Sequence, residues 1–255
     1  MRRKGLTRQN TLRSDNGSYH MTELNNYLKK HFLNEAQLVS ASAMRIDEID
    51  TLIHNRLVPA PSYVVTNAGN VCSFVFGEMT ASGSTPGRYF RPSQLFWIGR
   101  ARHAIAGGAA ENTEASLKAQ FTVKFATALA TLNLSTWRLR DSFGDDGVPI
   151  DDGLRVRTDA AWEYFLNGTY ALCVANPISE AHIAYKEVLQ EKLTQISDNG
   201  SKTIYSPHQA QAIQELIDAY AGTAMPFSPI EYASSSRKRL VEDLRANIRI
   251  SAAAA

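Results

Sequence analysis

The chain has 255 residues, 44% hydrophobic and 20% charged, with 27 Lys and Arg against 25 Asp and Glu. That composition excludes a collagen, a disulfide-held scaffold and a wholly disordered chain, and a chain of this length buries a core without staples. Residues 1–20 hold Arg2, Arg3, Lys4, Arg8 and Arg13 against Asp15 alone, a net +4, which leaves −2 for the remainder. The body of the protein is therefore no polycation built to coat nucleic acid.

Residues 1–21 read as a disordered basic tail, polar and without an apolar period, and Met21 is an alternative start to Met1. No apolar h-region follows the basic residues, which argues against a secretory signal. Thr22 opens the first helical pattern, with Leu24, Tyr27, Leu28 and Phe32 on one face. Asn34 with Gln37 three residues on has capping-box spacing for a second, short helix. A third helix runs from about Ile46 to Arg56, burying Ile46, Ile49, Leu52 and Ile53, and Pro59 and Pro61 end it. Tyr63–Thr66 and Val71–Phe76 flank a turn-like Asn67-Ala68-Gly69-Asn70, which predicts one β-hairpin. Gly77 to Gly87 reads as a loop, and Arg91-Pro92-Ser93 leads into a helix through about His103.

Ala106-Gly107-Gly108-Ala109 marks a boundary, since two glycines disfavour a continuing helix. Beyond it Thr113 caps a long helix with Leu117, Phe121, Phe125, Leu129 and Leu132 as its buried stripe, and Asp141 to Gly153 forms an acidic loop. Thr158 is expected to cap the next helix, Ser179 another that stops at Asn199-Gly200, and Ser206-Pro207 and Ser228-Pro229 two more. A last helix carries Leu240, Leu244 and Ile248, and Ala252–Ala255 is a frayed end. The expected architecture is mainly α: the tail over 1–21, a winged-helix-like domain over 22–106 with its one hairpin, and a helical domain over 107–250.

The segment Asn34-Glu35-Ala36-Gln37-Leu38-Val39, then Ile46-Asp47-Glu48-Ile49-Asp50-Thr51-Leu52 and Asn55-Arg56-Leu57-Val58-Pro59, resembles the winged helix-turn-helix of MerR-type regulators. The hairpin falls where that family's wing would be, while Arg56 stands where its pattern prefers glycine. The resemblance implies DNA contacts from Arg45, Thr51, Asn55 and Arg56. The charge disfavours DNA as partner: residues 22–63 carry four basic groups against five acidic, and Asp47, Glu48 and Asp50 lie on the would-be recognition helix, where phosphates repel them.

Two basic clusters are candidate anion sites. Between Glu78 and Glu111 there is no acidic residue, while Arg88, Arg91, Arg100 and Arg102 lie among Tyr89, Phe90, Phe96 and Trp97. Guanidinium forks match phosphate or carboxylate; the competing reading packs the aromatics inward and leaves the arginines in water. Near the end, Ser235 and Ser236 cap a helix whose first turn holds Arg237, Lys238 and Arg239, cations that the helix dipole opposes unless an anion binds there. Pairing with Glu242 and Asp243 is the alternative. The Asp145-Asp146-Gly147 and Asp151-Asp152-Gly153 pairs have turn chemistry and no EF-hand spacing. Scattered histidines and buried-looking Cys72 and Cys173 suggest no metal site, and no cofactor fingerprint or nucleophile motif appears.

Leu24–Leu28, Leu57–Tyr63, Tyr89–Pro92 and Met225–Pro229 through Leu240 are similar to a bacterial family of natural-product biosynthesis proteins. That resemblance implies a tie to specialised metabolism and no particular reaction. The expectation is a soluble, cytoplasmic accessory protein that binds a small anionic metabolite or a protein partner, with no membrane contact and no resident cofactor. The alternatives are a MerR-like transcriptional regulator, which predicts a dimer, and a pathway enzyme without a recognisable motif.

Overall fold

In the computed structural model, which describes residues 15–81, 83–107 and 112–250, helices dominate around a small sheet. In chain order the N-terminal elements are α1 (Asp15–His31), β1 (Leu33–Asn34), α2 (Glu35–Ser42), α3 (Ile46–His54), β2 (Tyr63–Val65), β3 (Asn70–Ser73), β4 (Gly77–Thr80), β5 (Gly87–Phe90) and α4 (Gln94–Ala106). They are followed by α5 (Thr113–Ser135), α6 (Asp151–Leu166), α7 (Thr169–Cys173), α8 (Glu180–Ile196), β6 (Ile204–Tyr205), α9 (Pro207–Thr223), α10 (Leu244–Asn247) and β7 (Arg249–Ile250). Helix α1 reaches back to Asp15, seven residues before the expected opening at Thr22. Arg2, Arg3, Lys4, Arg8 and Arg13, Gly108-Ala109 and Ala252–Ala255 lie outside the described residues.

Local capping chemistry places many helix ends. Asn34 and Gln37 form the full capping box of α2, Ser179 Oγ accepts the His182 amide at the start of α8, and Ser206 with Pro207 opens α9. Thr158 caps nothing: α6 starts at Asp151, inside the expected acidic loop, and Thr158 lies buried in its middle. That early start works because Gly153 has no Cβ, which would stand 1.6 Å from the Asp141 carbonyl oxygen. Ser228-Pro229 begins only a turn, because Ser228 Oγ is spent on Glu231 Oε2 at 2.6 Å.

The sheet is larger than the one expected hairpin. Its antiparallel order is β1-β5-β2-β3-β4, with β2 and β3 forming the anticipated hairpin. The stretch read as a loop supplies β4, paired along β3 from Asn70–Thr80 to Ser73–Gly77, and β5, paired with both β2 and β1. Gly77, at φ +71°, makes the tight return into β4. Glycine and threonine content points to a loop locally, but ladder bonds to distant strands override it.

One hydrophobic cluster runs through Leu38, Ile49 and Trp97 to Phe121, Trp162 and Val188, so α2, α3 and α4 share a core with α5, α6 and α8. Along α5 the buried stripe steps every fourth residue to Asn133, leaving Leu132 only partly buried. Asn133 Oδ1 accepts the Leu139 amide at 2.8 Å, which pins the chain leaving α5. A second cluster joins α1 and the sheet to Leu172, Cys173, Met225 and Phe227. A third packs α8 and α9 against Leu240, Val241 and Leu244.

Candidate functional site

The arginines of the acid-free stretch meet partners that the linear sequence hides. Arg88 is held by Glu35 and by Asp50 at 2.5 Å, and Arg100 by Glu180 at 2.6 Å with its guanidinium over the Trp97 ring. Arg91 donates to the carbonyls of His31, at the end of α1, and of Ala175, at 2.8 and 2.5 Å. Burial lowers its pKa. Arg102 reaches the Ser42 carbonyl, at 3.5 Å. These side chains bolt α1, α2, α3 and α8 to the sheet and to α4.

The residues singled out for DNA contact are similarly engaged. Arg45 pairs with Asp47 at 2.9 Å, and Thr51 Oγ1 donates to the Asp47 carbonyl. Asn55 ends α3 through its backbone amide. Arg56 bridges Glu114 and Glu163, each at 2.6 Å, from a backbone φ of +58°. That is the left-handed geometry glycine would adopt without strain, so the ion pairs hold a side chain where the chain turns sharply.

The C-terminal basic run divides three ways. Arg237 turns back onto the carbonyls of Ala221 and Ala224, capping the negative end of α9. Lys238 pairs with Asp243, and Ser235 Oγ accepts the Lys238 amide. Arg239 turns elsewhere. Residues Lys238–Asp243 are wound as a π-helix, a form that recurs at functional sites because its wide turn re-aims side chains. The Arg239 guanidinium has no hydrogen bond or ion pair among the described residues, and its Nε is buried without a partner.

Arg239 and Ser236 line a cleft of about 590 Å³. Its walls come from the β3–β4 turn (Val75, Phe76), from the α6–α7 corner (Tyr164, Tyr170, Cys173), from α8 (Lys186, Glu187, Gln190) and from Phe227. Gly168, at φ +85°, makes the corner that delivers α7 to the cleft. The floor is a continuous chain of hydrogen bonds. Lys186 Nζ donates to Glu187 Oε1 at 2.9 Å and to Gln190 Oε1 at 2.6 Å; Tyr220 Oη donates to the same Gln190 oxygen at 3.1 Å and lies 2.8 Å from Ser236 Oγ.

Lys186 is buried, yet its pKa is raised: burial opposes the charge, and the attraction of Glu187, with Cys173 and Tyr220 adding to it, more than offsets it. The cleft thus carries a fixed ammonium. Burial pushes the Cys173 thiol up to about 11, leaving it protonated and a poor nucleophile at neutral pH. Burial also raises the Tyr170 and Tyr220 pKa values, so both phenols act as neutral hydrogen-bonding groups. The cleft offers cations, neutral donors and aromatic walls, and no activated nucleophile among these groups.

Behind it lies a buried carboxyl. Glu231, 1% exposed, accepts from Tyr63 Oη at 2.5 Å, Ser228 Oγ at 2.6 Å and Ser73 Oγ at 3.3 Å. Burial raises its pKa, and the three hydroxyls pull only part of the way back. Lys186, Gln190, Tyr170 and Glu231 escape sequence reasoning because each sits singly within a helix or loop, and only folding brings them together. Among the described residues no three His, Cys, Asp or Glu side chains converge on a metal position, and no helix is long and apolar enough to cross a membrane.

Comparison with known proteins places most of this cleft in one recurring unit. No curated protein and no solved structure matches the chain. The family model of DUF6058, a family of unknown function, matches residues 117–249, more than half of the chain, and the protein belongs to that family. The matched region holds every cleft residue from Tyr164 to Arg239; the β3–β4 turn with Phe76 lies outside it.

Proposed function

We propose that the protein binds a small anionic metabolite with an aromatic or apolar body in the cleft between Lys186 and Arg239, as an accessory protein of specialised-metabolite biosynthesis. The observation that carries this reading is the Arg239 guanidinium, facing the cleft with no carboxylate partner and with its Nε buried and unpartnered. A guanidinium without a carboxylate partner is open to an arriving carboxylate, which would meet it with a charge-assisted bond. Phe76, Tyr164 and Phe227 supply apolar walls for the body of such a ligand. Cys173 held as a thiol and Lys186 as an ammonium favour binding over covalent catalysis, against the pathway-enzyme reading. The pathway context rests on the resemblance of segments 24–28, 57–63, 89–92 and 225–240 to natural-product biosynthesis proteins.

We read α2, α3 and the β2–β3 hairpin as a MerR-like winged-helix unit used as scaffold. Their succession along the chain supports the likeness. The commitment of Arg45 and Arg56 to ion pairs, with Asp47 and Glu48 at the start of α3, supports scaffold over DNA contact. Titrating the full chain with phenylacetate and with its neutral amide tests the ligand reading. Phenylacetate is expected to bind saturably, the amide much more weakly, and Arg239→Ala to lose about tenfold in affinity. Equal binding of acid and amide, or an unaffected Arg239→Ala, would contradict it. Saturable, sequence-selective binding of a duplex would instead make the protein a regulator.

A further inference from the structure

The segment between α5 and α6 forms a second cleft, of about 650 Å³, one turn along α8 from the first. Its geometry follows from one anchored residue. Leu139 is fully buried, its amide fixed by Asn133 Oδ1 and its carbonyl closing a turn on the Ser142 and Phe143 amides, and the exposed Arg138 and Arg140 on either side of it line the cleft. Neither guanidinium has a hydrogen-bond or ion-pair partner among the described residues, in contrast to Arg88, Arg100 and Arg56. Between them and the core lies Trp137, whose indole Nε1 is buried without a partner.

The floor is Arg157, held at 2.7 Å from both Asp141 Oδ2 and Glu191 Oε2 and 3.1 Å from Ser142 Oγ. Those bonds fix its plane and spend its charge on the two carboxylates. Three arginines against two carboxylates leave the cleft positive, with two uncommitted forks as donors. A dianionic tetrahedral head matches that set, because its oxygens accept from two forks at once.

We propose that this cleft is a binding site for a phosphate or diphosphate group, separate from the Lys186–Arg239 cleft and independent of its ligand. Arg138 and Arg140 clamp the oxyanion. Calorimetric titration of the full chain with inorganic pyrophosphate, and separately with succinate as a dicarboxylate, at about 50 mM salt tests this. Pyrophosphate is expected to bind at one site, with Arg138→Ala/Arg140→Ala weakening it at least about tenfold. Arg239→Ala is expected to leave it unchanged. Both arginines are exposed, so the double variant is expected to melt with the wild type, and Arg138→Lys/Arg140→Lys is expected to keep part of the affinity. Absence of saturation, equal binding by the alanine double variant, or tighter binding of succinate than of pyrophosphate would each overturn the assignment.

Discussion

At the scale of single residues, two positions separate packing from propensity and charge from burial. Gly153 lies in the first turn of α6, where a Gly→Ala change in an exposed helix stabilises by about 1 kcal/mol. Here a Cβ would meet the Asp141 carbonyl oxygen at 1.6 Å, so backbone has to move. Gly153→Ala is therefore expected to destabilise by about 1–3 kcal/mol, read from denaturant melts. Glu231 gives a pH prediction. Its pKa is raised on folding by burial, so the folded state holds the proton to higher pH than the unfolded chain. Stability from this group is full in acid and is lost as pH rises from the ordinary carboxyl value through the folded one. Glu231→Gln carries no titrating proton, so its melting temperature relative to wild type is expected to rise with pH; a constant difference across that range contradicts the shift.

Interactions between elements explain why the basic clusters are hard to read from sequence. Arg100 and Glu180 join α4 to the start of α8 across 80 residues of chain, with side chains 17% and 5% exposed. Removing one partner of a buried pair leaves an uncompensated charge, so Glu180→Ala is expected to cost about 3–5 kcal/mol in thermal or denaturant unfolding. A loss below 1 kcal/mol would mean that water reaches Arg100. The same arginine stands in a stretch empty of acids, and its carboxylate comes from a segment that no local window includes. Arg91, through its terminal nitrogens while its Nε stays buried without a partner, and Arg237 likewise donate to carbonyls near helix ends, partners that every sequence has and none displays. Caps were legible because their chemistry is local: Asn34 with Gln37, Ser179, and Ser206 with Pro207 each act within one turn. Strands β4 and β5 were not, since their stability comes from ladders to β1, β2 and β3 rather than from glycine- and threonine-rich segments of their own.

At the scale of the whole molecule, the sheet and the helical layer meet through shared cores, and the candidate cleft lies where the β3–β4 turn faces α6, α7 and α8. Ser236 and Arg239 were visible in the sequence as part of a basic helix start at odds with the dipole; the π-wound turn sends Arg237 and Lys238 to internal partners and leaves Arg239 toward the cleft. The buried ammonium of Lys186 was not visible, because a lysine in an amphipathic helix reads as a solvated face until Gln190 and Glu187 are seen to enclose it. The most direct test of the central claim is a crystal structure of the full chain grown with phenylacetate. The account predicts the carboxylate within hydrogen-bond distance of the Arg239 guanidinium and the ring against Phe76, Tyr164 or Phe227. A ligand bound elsewhere, or an Arg239 guanidinium left unengaged beside a saturating ligand, would contradict it.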